Sequence, residues 1–154
     1  MFAITLLSVG SLKKSWCKDG CEDYISRLNH SCNFKVVELP ASKQKDPSKQ
    51  KEEESKSILD RLEKTEGTIF VLDEIGKELE SEEFSKVISN NKDKGDSIIF
   101  VIGGAYGLNN EVREFGDRVI SLSKMTLPHE LCRVLFLEQL YRAMEILKGS
   151  GYHH

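Results

Sequence analysis

The stretch SIIFVIGGAYGLNNEV, Ser97 to Val112, decides the fold. An apolar, β-branched run from Ile98 to Ile102 stops on Gly103-Gly104, and Gly107 follows shortly after. Asn109 or Asn110 is a fair N-cap, with Glu111 and Glu114 in the early turns of a short helix. A buried strand that ends in glycines and feeds a helix usually opens a place where a ligand rests against bare backbone.

Working outward, strand-like runs stand at Phe2–Val9, Phe34–Leu39, Thr68–Asp73, Ser97–Ile102 and, with weaker alternation, Arg118–Leu122. Helical patterns alternate with them at Lys13–Leu28, Ser48–Lys64, Ser81–Asn90, just after Asn109, and Pro128–Lys148. This order predicts a single α/β domain over residues 1–154, with a mainly parallel sheet and helices on both faces. Ligands of such sheets sit beyond the carboxyl ends of the strands, so Leu72-Asp73 and Gly103-Gly104 are expected to face one pocket. The tract SKQKDPSKQKEEESK, Ser42 to Lys56, reads as a loop running into a helix, its mixed charges pointing to a solvated surface. The last helix is apolar around most of its circumference, which one-sided packing on a sheet does not require. It is expected to pack on its own domain and also on a second copy of the chain, with Leu137, Tyr141 and Met144 as interface residues.

Bulk composition narrows the classes of function. The chain has 154 residues, 31% charged and 39% hydrophobic, with a formal charge of −3. That suits an ordinary cytoplasmic protein and supplies no global basic field for nucleic acid, although a local patch would suffice. No apolar stretch approaches membrane-spanning length, and the opening MFAITLLSVG lacks the basic leader of a secretion signal. Cys17, Cys21 and Cys32 lack the paired knuckle spacing of structural zinc, so no metal is expected and the thiols are read as reduced packing residues.

The glycine pattern G-G-x-x-G follows the fourth strand rather than the first, and no acidic residue closes the next one. A dinucleotide-binding or phosphate-loop signature is therefore absent. SLSKMTLPHE, Ser121 to Glu130, alternates small polar and apolar residues before Pro128, which suits a first helical turn. An extended segment of this kind offers backbone N–H and C=O groups to a flat polar ligand such as adenine.

Four stretches together carry a resemblance: LDEIGK (Leu72–Lys77), FVIGGAYGL (Phe100–Leu108), SLSKMTLPHELCRVLFLEQLYRA (Ser121–Ala143) and the terminal GYHH. They resemble the RlmH family, large-subunit ribosomal RNA methyltransferases of the SPOUT superfamily that modify N3 of a pseudouridine with S-adenosylmethionine. The resemblance runs the length of the chain. It implies a C-terminal trefoil knot, a topology that spacing alone would never suggest. It also implies a homodimer, a ribosomal partner, and a cofactor held by Leu72, Gly103 and the segment Leu122, Ser123, Lys124, Met125, Thr126, Leu127. The glycines would then make room for the cofactor, with Leu72 and Met125 as apolar walls. One departure is visible: relatives commonly end Tyr-His followed by a cation, whereas this chain ends Tyr152-His153-His154.

Methyl transfer to an imide nitrogen needs positioning and loss of the N3 proton. His153 is the first candidate base, because imidazole titrates near neutrality, with Tyr152 stacking on the target base. His129 and Glu130 are second choices. Arg133 and Arg142 are candidates to steady the anion or a phosphate, and a helix-surface ion pair between Arg133 and Glu130 is the plainer alternative. A transfer RNA substrate, or a non-catalytic protein that binds a nucleotide or the ribosome, are the competing functions.

Overall fold

The computed structural model describes residues 2–154. The apolar runs become β1 (Ala3–Val9), β2 (Asn33–Leu39), β3 (Thr68–Glu78), β4 (Ile98–Ile102) and β5 (Arg118–Ser121), all parallel in the order β2-β1-β4-β3-β5. Between and after them lie α1 (Ser15–Leu28), α2 (Pro47–Leu62), α3 (Ser81–Lys94), α4 (Asn110–Phe115) and α5 (His129–Lys148). Every residue of β4 is buried, which is why its run is continuously apolar rather than alternating.

Alternation along the strands sorts the core into two layers. Ile4, Leu6, Phe70, Leu72, Ile98 and Phe100 face α1, α3 and α5. Leu7, Val9, Ile69, Val71, Ile99 and Val101 face α2 and α4 on the other side. Phe100 anchors the first layer, its ring 4.7 Å from that of Phe136 on α5 and 5.5 Å from Phe70. Each such pair adds about 1 kcal/mol beyond burial alone.

Helix α5 corrects part of the expectation for the second copy. Leu137 and Met144 are 1% and 4% exposed and belong to the core of their own chain, beside Phe136, Leu140 and Ala143. Tyr141 is half-buried against Tyr24 and Tyr152. The outward stripe, at helical spacings of four, seven and four residues, is instead Leu131, Leu135, Arg142 and Ile146, all half-buried.

Two further differences concern local order. β3 does not end at Asp73: it leaves the ladder after Leu72 and returns at Lys77, both residues pairing with Ile120. Asp73–Gly76 is thereby pushed out as a short excursion. In the charged tract, Asp46 caps α2 by accepting from the Lys49 N–H at 3.0 Å. Glu54 and Ser55 on that helix are buried, so the tract is not solvated throughout.

Candidate functional site

The carboxyl ends of β3, β4 and β5 open into a cleft of about 690 Å³. One wall is the turn Gly103–Leu108, the other is the segment Leu122–Pro128, and Asp73 and Glu74 of the excursion form the rim. Leu72, Gly103, Leu122, Ser123, Met125, Thr126 and Leu127 all line it, and so does His129. Lys124 does not. Its Nζ donates to the carbonyls of Glu74 and Gly76, at 3.2 and 2.6 Å, while Thr126 Oγ1 donates to Glu74 Oε2 at 2.9 Å. These two residues clasp the rim to the wall. Among the described residues, the backbone of Lys124, Thr126 and Leu127 takes part in none of the turn, loop or cap bonds between backbone groups.

The glycines have a more local reason than the sequence suggests. A Cβ at Gly103 would stand 2.8 Å from Leu108 Cδ2 and 3.0 Å from the Gly107 carbonyl carbon. The missing side chain thus lets the turn fold back on itself, and Gly103 offers its backbone to the cleft. At Gly104 a Cβ would collide with Glu54 Oε1. Asn109 caps α4 by accepting from the Val112 N–H at 3.1 Å, as its position before the helix predicts.

Arg113 and Glu54 carry no motif and escape a reading by sequence. Arg113 Nη1 bridges Asp73 Oδ2 at 3.0 Å and the Leu108 carbonyl at 2.6 Å, fixing the end of β3 to the far end of the glycine turn. The only hint of Glu54 is its spacing: it stands four and eight residues before the buried Ile58 and Leu62.

At the amino end of α5, Glu130 accepts from the backbone N–H of Lys13 and Lys14 at 2.7 and 3.0 Å. It supplies the cap that α1 lacks from its own N-cap residue, Lys14. These N–H donors, Lys14 first and Lys13 next, hold its carboxyl below the usual carboxylate value. Arg133 makes no pair with it. Arg133 is 3% exposed and its guanidinium is spent on Glu38 and on the carbonyls of Val9 and Gly10. That removes it from the cleft and corrects both sequence readings, the substrate contact and the surface pair. Burial pushes the thiol of Cys132, which lines the cleft, up to about 11, so it stays protonated at neutral pH.

The tail turns back along α5 after Gly149. Tyr152 packs edge-on to Tyr141 with centroids 4.9 Å apart, and the Arg142 guanidinium lies 4.9 Å from its ring centre. His153 Nδ1 is 3.1 Å from Arg142 Nη1, and its Nε2 is 4.0 Å from Glu82. Arg142 also holds Glu138 at 2.8 Å. Cys132 is the last residue of α5 to line the cleft. Arg142 stands ten residues further on, about 15 Å at the rise of an α-helix. Within one chain, then, His153, Tyr152 and Arg142 form one cluster and the cleft residues another.

The family model described as "Predicted SPOUT methyltransferase" matches residues 2–153. Ribosomal RNA large subunit methyltransferase H 1 of Clostridium perfringens (strain SM101 / Type A) is 43% identical over 97% of this chain and 98% of its own length. The ribosomal RNA large subunit methyltransferase H of Cytophaga hutchinsonii is 40% identical over 98% of this chain and 99% of its own. Among solved structures, a probable methylase family protein from Haemophilus influenzae Rd KW20 matches with a TM-score of 0.60 at 12% identity, over 98% of this chain and 70% of that one. A probable methyltransferase from Bordetella pertussis Tohama I gives a TM-score of 0.58 at 14% identity, over 93% of this chain and 96% of that one. These two likenesses concern the fold.

Proposed function

Because the chain belongs to the SPOUT methyltransferases, and within them to the ribosomal RNA large subunit methyltransferase H family, we propose that it methylates N3 of a pseudouridine in large-subunit ribosomal RNA. In this reading it works in the cytoplasm on the assembled ribosome. The observation that carries the reading is the cleft at the strand ends, where seven of the eight residues expected around the cofactor converge.

The residues fit S-adenosylmethionine, the cofactor of SPOUT methyltransferases. A volume of about 690 Å³ is of the size that encloses such a ligand. Leu72, Leu122 and Leu127 offer apolar walls, and the backbone of Lys124, Thr126 and Leu127 suits the hydrogen-bonding edge of adenine. When bound, the cofactor supplies an electrophilic methyl group whose departing thioether needs no proton. The chain's own work is to position the target base, exclude water and remove the N3 proton.

His153 serves as the base in this reading, with Tyr152 stacking on the nucleobase and Arg142 steadying negative charge. Their distance from the cleft requires that the tail come from a second copy. A homodimer packed on the outer stripe of α5, at Leu131, Leu135 and Ile146, sets one chain's tail near the other chain's cleft. His129, which lines the cleft itself, is the next candidate for the proton. The trefoil knot belongs to the same reading, supported by the passage of Leu122–Pro128 between the glycine turn and the clasped excursion.

The test is methylation by the purified protein with a labelled donor, offered ribosomes, deproteinised ribosomal RNA and transfer RNA side by side. Nucleoside mass spectrometry is expected to find the label on N3 of a pseudouridine from the large subunit, with ribosomes as the best substrate. Label in transfer RNA, or in none of the three, overturns the proposal.

A further inference from the structure

A second cleft, of about 490 Å³, opens beyond the ends of β1 and β2. It shares Gly104, Ala105 and His129 with the cofactor cleft, so these residues form a partition between the two. Its charged side chains are Lys13 and the carboxylates of Glu38, Glu54 and Glu130, and each carboxylate has a different fate. Glu38 is held by Arg133, and Glu130 is held by the N–H groups of Lys13 and Lys14. Glu54 is only half answered. Its Oε2 accepts from the Ser42 N–H at 2.8 Å, while its Oε1 has no partner although the residue is 5% exposed. Ser8 Oγ is the one other buried side-chain atom among the described residues left in that state.

A carboxylate oxygen can only accept, and leaving one buried without a donor is costly. The ligand that suits this place therefore brings an N–H or O–H and no negative charge of its own. A phosphate is repelled; the edge of a nucleobase fits. Oε1 lies directly under Gly104, whose missing side chain is the space it occupies. The turn above it is closed by a single backbone bond, Gly107 N–H to the Gly104 carbonyl at 3.1 Å, and carries the exposed Ala105 and Tyr106. A ligand reaches Oε1 only if this turn shifts aside, and that shift is part of the proposal below. A base standing there meets both clefts at once.

Pseudouridine differs from uridine in one respect that a carboxylate can read. It carries N1–H where uridine carries C5–H, and N1 and N3 flank the same carbonyl, directing their bonds roughly 120° apart. We propose that Glu54 is the residue that selects pseudouridine over uridine, its Oε1 accepting the N1–H while N3 faces the cofactor cleft. The inference rests on the pseudouridine reading above and adds to it the group that makes the choice. Losing one hydrogen bond to a charged acceptor corresponds to roughly a 10- to 100-fold loss in rate.

Glu54→Gln is the informative substitution. An amide has one acceptor and one donor end, so it cannot accept from the Ser42 N–H and from N1–H together. Glu54→Ala is the companion: it removes the unanswered oxygen outright, together with the acceptor of the Ser42 N–H. The measurement is kcat/KM on ribosomes carrying pseudouridine and on ribosomes whose target positions are left as uridine, with S-adenosylhomocysteine affinity by calorimetry as the check on the neighbouring cleft. Expected is a fall of at least about tenfold on pseudouridine in both variants, a pseudouridine-to-uridine ratio that collapses towards one, and product affinity within twofold of the unsubstituted protein. An active parent protein with variants that keep its ratio overturns the role of Glu54 alone. A parent protein that modifies neither set of ribosomes overturns the functional reading and this inference with it.

Discussion

The two ends of α5 are built by different means. At the amino end the cleft is made of backbone: strand ends, a glycine turn, and an extended segment clasped by Lys124 and Thr126. At the carboxyl end the cluster is made of side chains: Tyr141 with Tyr24 tilted against it and Tyr152 edge-on to it, and Arg142 between Glu138 and His153. The backbone end suits holding a ligand of fixed shape. The side-chain end holds a titratable imidazole and an aromatic ring on a short glycine-flanked tail. In the proposed reading, binding and proton chemistry fall at opposite ends of α5, and substitutions at the two ends are expected to fail differently.

The largest separation is expected from deleting Tyr152–His154. Single-turnover methylation of ribosomes should fall at least about 100-fold, with cofactor affinity nearly unchanged, because positioning and proton removal are lost together. A rate within a few-fold of the intact protein would place the base elsewhere, with His129 next in line. At the other end, Arg133→Met should cost about 2 kcal/mol of stability by leaving the Val9 and Gly10 carbonyls without their donor. In a domain of this size that is roughly 4–8 °C in melting temperature, read by calorimetry. An unchanged melting temperature would mean that the strut from α5 to the end of β1 carries little.

Between these lies the outer stripe. Leu135→Glu places a charge on the proposed contact between copies and should weaken self-association at least about tenfold by light scattering, with melting temperature little changed. A monomeric parent protein at micromolar concentration would break the comparison at its root, since no second tail would then reach the cleft.

The smallest effect concerns Glu130. Its folded-state pKa is depressed, so its contribution is complete above the ordinary carboxylate value and is lost as pH falls through the lowered one. Glu130→Gln should therefore lower the melting temperature slightly at pH 7 and not at all well below pH 4. Parallel curves across that range would mean that the carboxylate does not cap α1.

Most of the fold was legible because strands and helices have distinct periods, and the run Ile98–Ile102 has no helical alternative before its glycines. Asn109 was legible for the same local reason, as a cap. What escaped is tertiary. Nothing near Arg133 in sequence announces Glu38, and its spacing to Glu130 suggested a neighbour that is occupied elsewhere. The glycines pointed to the cleft at the strand ends for an incomplete reason, because the nearest obstacles to a side chain there are Leu108 and Glu54 rather than open space. Leu137 and Met144, read as facing a second copy, lie on the inner face of α5, a distinction that only packing against α1 and α3 could draw.

The placement of α5 across β1 and β4, between α1 and α3, has a consequence for how the molecule is made. Ile4 and Leu6 leave the ribosome about 130 residues ahead of Phe136 and Leu140, which cover the same layer. At about 5–20 residues per second, that layer stays open for on the order of ten seconds in each round of synthesis. For that interval the residues of this layer lack the cover that α5 supplies, with only α1 and α3 available to them, so the dependence of the nascent chain on chaperones should rise as translation slows.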